Sequence, residues 1–323
     1  MTKFLTADPA GIARAAELIS RGDLVAFGTE TVYGLGGDAT NAEAVARIFA
    51  AKGRPQFNPL ICHYPDAGSA LAAVEGNALA ERLAACFWPG PLTLVLRRQS
   101  DCGVALLTAA GLDTLAVRVP LPATARALLA AVGRPVAAPS ANRSGRVSPT
   151  TAADVMEELG DRVAAVLDTG PCPVGVESTV LDLTGRPCLL RPGGITLEAI
   201  VREAGPIALA GEVSRNGEKR RSPGMLRSHY APSLPMRLDV DAVDADEALL
   251  AFGEPLSGAG VVFNLSAAAS LEEAAARLFA GLRWLDQEGQ QRGLRRIAAM
   301  AVPAFGLGLA ITDRLRRAAA PRG

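Results

Sequence analysis

The sequence predicts an α/β protein in two domains, and three observations carry that expectation. The chain has 323 residues, more than one ordinary core organises. Short β-branched runs bounded by Gly and Pro are interleaved with stretches of helical periodicity, without the strict alternation of a doubly wound sheet. Between Glu212 and Pro235 the composition turns charged and turn-rich, most clearly over Asn216–Gly224, as an interdomain linker does. The expected division is a larger domain at 1–207 with a mixed sheet and flanking helices, a linker at 208–235, and a smaller α/β/α domain at 236–323.

In chain order, Leu24–Phe27 is an apolar strand running into a turn dense in Gly and hydroxyls, Gly28–Gly37. Asn41 caps a helix whose Val45, Ile48 and Phe49 share one face and which ends near Lys52-Gly53. Pro59–His63 is the next strand, and Ala78–Phe87 an amphipathic helix broken by Trp88-Pro89-Gly90-Pro91. Leu92–Leu96 and Leu115–Val119 are strands by alternation, and Val136–Pro139 is a short buried one. Ser148-Pro149-Thr150 starts a helix, followed by strands at Ala164–Leu167, Thr179–Leu183 and Cys188–Arg191. In the last domain strands are expected at Met236–Val240, Gly260–Phe263 and Arg296–Val302, with helices at Asp244–Ala251, Leu271–Asp286 and Leu309–Ala319.

Composition excludes several classes of function. With 33 basic and 33 acidic residues the chain offers no general field for nucleic acid. No apolar stretch reaches the roughly 20 residues that span a bilayer, and the N-terminus lacks a signal-peptide core. Five scattered cysteines without CxxC spacing fit reduced thiols in a cytoplasmic protein. Two histidines, His63 and His229, rule out a histidine-rich zinc site, and no GxxxxGK[ST] segment is present.

Two polar signatures remain. Lys52-Gly53-Arg54, continued by Pro55-Gln56-Phe57-Asn58-Pro59, puts two cations at a helix end that leads into a strand. Alone this reads equally as a solvated helix end, where cations suit the dipole. Ser140-Ala141-Asn142 follows the buried run ending at Pro139, as turn formers or as ligand groups. Thr31–Gly36 lacks the GxGxxG spacing and reads as a substrate turn or a plain hairpin. His63, Glu177-Ser178-Thr179 and Arg191-Pro192-Gly193-Gly194 likewise admit structural readings. Arg118 inside Ala116–Pro120 is a buried cation that needs an anionic partner, and a substrate carboxylate is one source. These residues imply a cleft for an anionic, phosphorylated ligand.

Taken in order, Thr29–Leu35, Lys52–Pro55, Asn58–Leu60, Trp88–Thr93, Val117–Pro120, Ala138–Asn142 and Glu177–Val180 resemble the YrdC-like family, the L-threonylcarbamoyladenylate synthases. Ser222-Pro223-Gly224-Met225, His229-Tyr230-Ala231-Pro232 and Gly306–Arg314 resemble the long, two-domain form of that family, with Leu226-Arg227-Ser228 a mild departure. The resemblance implies a twisted mixed YrdC-like sheet followed by a Rossmann-like α/β/α domain. It implies an ATP-dependent nucleotidyltransferase that condenses L-threonine, bicarbonate and ATP to threonylcarbamoyl-AMP and pyrophosphate, for threonylcarbamoyladenosine in tRNA.

By the same resemblance, Lys52 and Arg54 are the catalytic cations on the triphosphate. Thr31, His63, Arg118 and Ser178 hold threonine, and Asn58, Ser140, Asn142, Ser148, Arg191 and Tyr230 contact ATP, Tyr230 closing from the linker. Mg²⁺ arrives with ATP and needs no protein side chain, and final transfer falls to downstream threonylcarbamoyl-transfer proteins, with no strong tRNA binding and no membrane. Two rivals are an RNA-binding module on the same cleft and a carbamoyltransferase; the latter's acylphosphatase-like and zinc-finger segments have no counterpart here.

Overall fold

The computed structural model describes residues 2–210 and 229–321. The chain divides into two compact units, Met1–Ser144 with Pro149–Cys172 and Glu177–Met225, and Gly145–Ser148 with Pro173–Val176 and Leu226–Gly323. Two short stretches that lie within the expected 1–207 segment, Gly145–Ser148 and Pro173–Val176, group with the second unit. Most of the expected linker, with Asn216–Gly224 and Ser222–Ser228, lies outside the described residues.

The first unit contains β1 (Lys3–Thr6), α1 (Pro9–Ser20), β2 (Val25–Gly28), β3 (Tyr33–Asp38), α2 (Ala42–Lys52), β4 (Ile61–His63), α3 (Ala67–Ala72), α4 (Ala78–Phe87), β5 (Leu92–Arg97) and β6 (Thr114–Arg118). It continues with α5 (Ala123–Val132), β7 (Val136–Ala137), α6 (Ala152–Leu159), β8 (Ala165–Asp168), β9 (Thr179–Asp182), β10 (Cys188–Arg191), α7 (Leu197–Ala204) and β11 (Ala208–Leu209). Its strands form one mixed sheet in the order β1-β8-β2-β3-β7-β4-β6-β5-β9-β10-β11.

Alternation along β2 shows how the layers arise. Val25 and Phe27 join a cluster with Ile19 of α1 and Leu128 and Leu129 of α5. Leu24 and Ala26 face the opposite way, into the cluster that holds Ile48 of α2, Leu83 of α4 and Val155 of α6. Both sheet faces are thereby covered by helices, as strands rich in apolar residues require.

Of the two readings of the glycine-rich segment, turn or hairpin, the structure has the hairpin: Tyr33–Asp38 pairs antiparallel with β2, Gly36 opposite Val25. A Cβ on Gly36 would stand 2.8 Å from Cε1 of Phe27, so glycine here serves close strand packing rather than a turn.

The second unit contains β12 (Met236–Arg237), β13 (Glu247–Ala251), β14 (Val261–Asn264), α8 (Leu271–Gln291), β15 (Arg296–Ala299) and α9 (Gly308–Ala319). Its sheet is parallel throughout, in the order β12-β15-β13-β14. The expected helix at Asp244–Ala251 is the strand β13. All five of its residues are buried between β14 and β15, and that placement outweighs the helical preference of Glu, Ala and Leu. Ala248 and Leu250 approach α8 at Gly289 and Gly281, while Leu249 and Ala251 meet Val240, Val243 and Met300 on the other face. Among the described residues no helix is long and apolar enough to cross a membrane.

Candidate active site

Four strands of the first unit carry the same two-residue pattern onto one sheet face. Ile61, Val95, Ala116 and Val180 form a small apolar cluster there. Two residues along each strand, on the same face, stand His63, Thr93, Arg118 and Ser178. Register sets the row: His63 is opposite Arg118, and Thr93 is opposite Val180. The ends of β4 and β6 thus meet the starts of β5 and β9 along one edge of the sheet.

Each side chain of the row has its own hydrogen-bond partners. Thr93 Oγ1 and Ser178 Oγ lie 2.8 Å apart. Arg191 Nε and Nη2 donate to the Ser178 carbonyl at 3.1 and 2.9 Å, and Nη2 also reaches Ser178 Oγ at 3.1 Å. Arg118 Nη2 donates to Glu30 Oε1 at 2.7 Å and to Thr31 Oγ1 at 3.0 Å. The anionic partner that the sequence sought for Arg118 in a substrate is therefore supplied by the protein itself. His63 Nδ1 faces the Ile61 carbonyl at 3.2 Å, so Nδ1 donates. Burial, and then the charge of Arg118, push the His63 imidazole down to about 3, and it is neutral at physiological pH.

The cations of the first signature stand at the end of α2. Asn41 Oδ1 accepts from the backbone of Glu43 and Ala44 at 2.9 and 3.2 Å, and the helix ends at a left-handed Gly53. Lys52 is buried, 3% exposed. Its Nζ donates to the carbonyl of Ser140, to that of Asn142 at 2.6 Å, and is 3.5 Å from Asn142 Oδ1. Ser144 N returns a bond to the Lys52 carbonyl at 2.7 Å, so helix and loop are tied twice. Burial first, and Arg54 second, hold the Lys52 ammonium well below the usual lysine range, while Glu158 and Glu177 oppose that shift.

Arg54 donates to the carbonyls of Asn58 and Pro59 at 3.3 and 3.1 Å. Asn58 itself is 1% exposed, and among the described residues neither its Nδ2 nor its Oδ1 has a hydrogen-bond partner. A buried carboxamide left unsatisfied at both ends is costly and fits a polar ligand.

The structure therefore brings together Thr31, His63, Arg118 and Ser178, with Arg191 on Ser178, and places Lys52 on Ser140 and Asn142. Ser148 and Tyr230 belong to the second unit. Tyr230 has a left-handed backbone, φ 62°, and its ring stacks on Phe279 at 5.4 Å with the Arg314 guanidinium 5.6 Å from its centroid. Sequence reasoning missed Glu30 and Thr93. Thr93 was legible from alternation along β5; Glu30, an acid between two threonines ahead of an apolar run, was a signal left unused. Among the described residues no cluster of His, Cys, Asp and Glu could hold a metal ion.

Residues 17–193 match a family model described as telomere recombination (Sua5, YciO and YrdC), and residues 195–320 match the threonylcarbamoyl-AMP synthase C-terminal domain. The threonylcarbamoyl-AMP synthase of Bacillus subtilis is 42% identical over 100% of this chain and 96% of its own length. That of Pyrococcus abyssi is 42% identical over 95% of this chain and 94% of its own. The crystal structure of Pyrococcus abyssi Sua5 complexed with L-threonine superposes with a TM-score of 0.89 at 39% identity, covering 99% of this chain and 97% of that one. Two domain matches in tandem and likeness over nearly the full length of these relatives lead to one conclusion: the chain belongs to the threonylcarbamoyl-AMP synthase family.

Proposed function

We propose that this enzyme joins L-threonine, bicarbonate and ATP into threonylcarbamoyl-AMP, releasing pyrophosphate. The observation that supports this most is the pairing, in one unit, of the Lys52/Arg54 cations and the orphaned Asn58 amide with the His63–Thr93–Arg118–Ser178 row. One half suits a polyphosphate and the other a small zwitterion.

In the proposed reaction the neutral amine of threonine and bicarbonate give a carbamate and water. A carbamate oxygen then attacks the α-phosphorus of ATP, and the bond to the β-phosphate breaks as pyrophosphate leaves. No protein nucleophile is required; positioning and neutralisation of phosphate charge do the work. Arg118 takes the threonine carboxylate, with Thr31, His63 and Ser178 around the rest of the molecule. Neutral His63 suits this place because it adds no second cation beside Arg118. Lys52 and Arg54 face the triphosphate, and Asn58, Ser140, Asn142 and Arg191 contact the nucleotide; Ser148 and Tyr230 are assigned to it by the family resemblance alone. ATP is taken as its Mg²⁺ complex, with the ion on phosphate oxygens. The product is an adenylate for downstream proteins that transfer threonylcarbamoyl to tRNA, in the cytoplasm.

The test is pyrophosphate release from ATP and Mg²⁺, with threonine and bicarbonate omitted in turn. Release that requires both is the expected result. Release indifferent to threonine would assign another acceptor, and binding of ATP without release would favour a binding module.

A further inference from the structure

Glu30 is 1% exposed and Arg118 is 4% exposed, so their ion pair is screened from water. Both carboxylate oxygens are held: Oε1 accepts from Arg118 Nη2 at 2.7 Å, and Oε2 accepts from the backbone N–H of Leu121 at 3.0 Å. The guanidinium is fixed on its other side, where Nε faces the Gly90 carbonyl at 3.4 Å and Nη2 also meets Thr31 Oγ1. Nη1 is the remaining corner. It makes no hydrogen bond among the described residues and is not one of the fully enclosed unsatisfied atoms.

Two effects compete at such a site. Glu30 repels an incoming carboxylate, yet it also compensates a guanidinium that would otherwise be a lone buried charge and would turn toward other acceptors. The two-point hold on Glu30 and the unused Nη1 corner favour the second effect. We propose that Glu30 is a positioning residue of the amino-acid subsite, fixing the Arg118 plane so that Nη1 is presented to a substrate α-carboxylate. This rests on the assignment of Arg118 to the threonine carboxylate.

The experiment is pyrophosphate-release kinetics on the full chain, with L-threonine as substrate and L-threoninamide as competitor. In Glu30→Gln one amide group must face a donor, either Arg118 Nη2 or Leu121 N–H. The KM for L-threonine is then expected to rise about tenfold, with the KM for ATP unchanged and the preference over L-threoninamide reduced. Glu30→Asp, a carboxylate one methylene shorter, should recover part of that preference. An unchanged or lower KM for L-threonine in folded Glu30→Gln would overturn the proposal. Wild-type enzyme that binds L-threoninamide as tightly as L-threonine would overturn the Arg118 assignment instead, so the two failures are distinguishable. Should Glu30→Gln not fold, Leu121→Pro removes the N–H that holds Oε2, at an exposed position already flanked by Pro120 and Pro122. It should weaken L-threonine in the same direction and leave ATP alone; an unaffected KM there overturns the proposal equally.

Discussion

Lys52 illustrates how a single buried charge couples two parts of a site. Its ammonium is out of water and surrounded by oxygens of the Ser140–Asn142 loop, so replacement leaves carbonyls unpaired as well as removing charge. Lys52→Ala is expected to lower pyrophosphate release about 100-fold or more, beyond any change in the amount of folded protein. Activity and circular dichroism on the same samples test this, and near-wild-type turnover would remove Lys52 from the mechanism. His63 yields a pH prediction. Its imidazole is held at about 3 in the folded state against an ordinary 6.5. Below 6.5 the unfolded chain binds a proton that the folded chain refuses, so this contribution is full above that pH and is lost as pH falls toward 3. Urea midpoints measured across this window should slope downward in the wild type and less so in His63→Gln.

At the scale of elements, the turn after β10 shows how backbone contact can place a functional side chain. A Cβ on Gly193 would lie 2.3 Å from the Glu177 carbonyl oxygen and 2.4 Å from the Thr179 nitrogen, with no flexible atom to give way. Gly193→Ala should force the turn off β9, loosen Arg191 from Ser178, and cost about 1–3 kcal/mol. Urea unfolding together with the KM for ATP would check it; wild-type values for both would show that the turn accommodates the methyl group. Elements also show how far the sequence was legible. Helix α2 was readable because Asn41, the 3.6-residue spacing of Val45, Ile48 and Phe49, and Gly53 agree with one another. β13 was not, because Glu-Ala-Leu-Leu-Ala carries a helical preference that only its sheet neighbours override. β3 was obscured by glycines that serve packing. In the candidate site, motif residues such as Lys52 and Ser178 were singled out from the sequence, whereas Glu30, though visible between two threonines, was left unused because its ion-pair partner Arg118 is far away in sequence.

For the whole molecule, the two units contain different acid-sensitive groups and one tryptophan each, Trp88 and Trp284. In the second unit the Glu247 carboxyl is held at about 2, first by its hydrogen bonds to Arg237, against an ordinary 4.5. Its contribution is present above 4.5 and is lost as pH falls toward 2, a lower window than that of His63. Acid titration of single-tryptophan variants should therefore report the Trp88 unit changing at higher pH than the Trp284 unit. Coincident transitions would mean that one group does not dominate each unit. The division of the chain carries a further consequence. Gly145–Ser148 and Pro173–Val176 belong to the second unit, with the Val147 carbonyl accepting from Arg283 and the Gly145 carbonyl from Ala231 N–H. The C-terminal unit is thus not a detachable cassette. Any recombination that joins front and back halves from different parents at the linker would mismatch these two inserts with the scaffold that seats them, so successful chimaeras should need the inserts exchanged along with the tail.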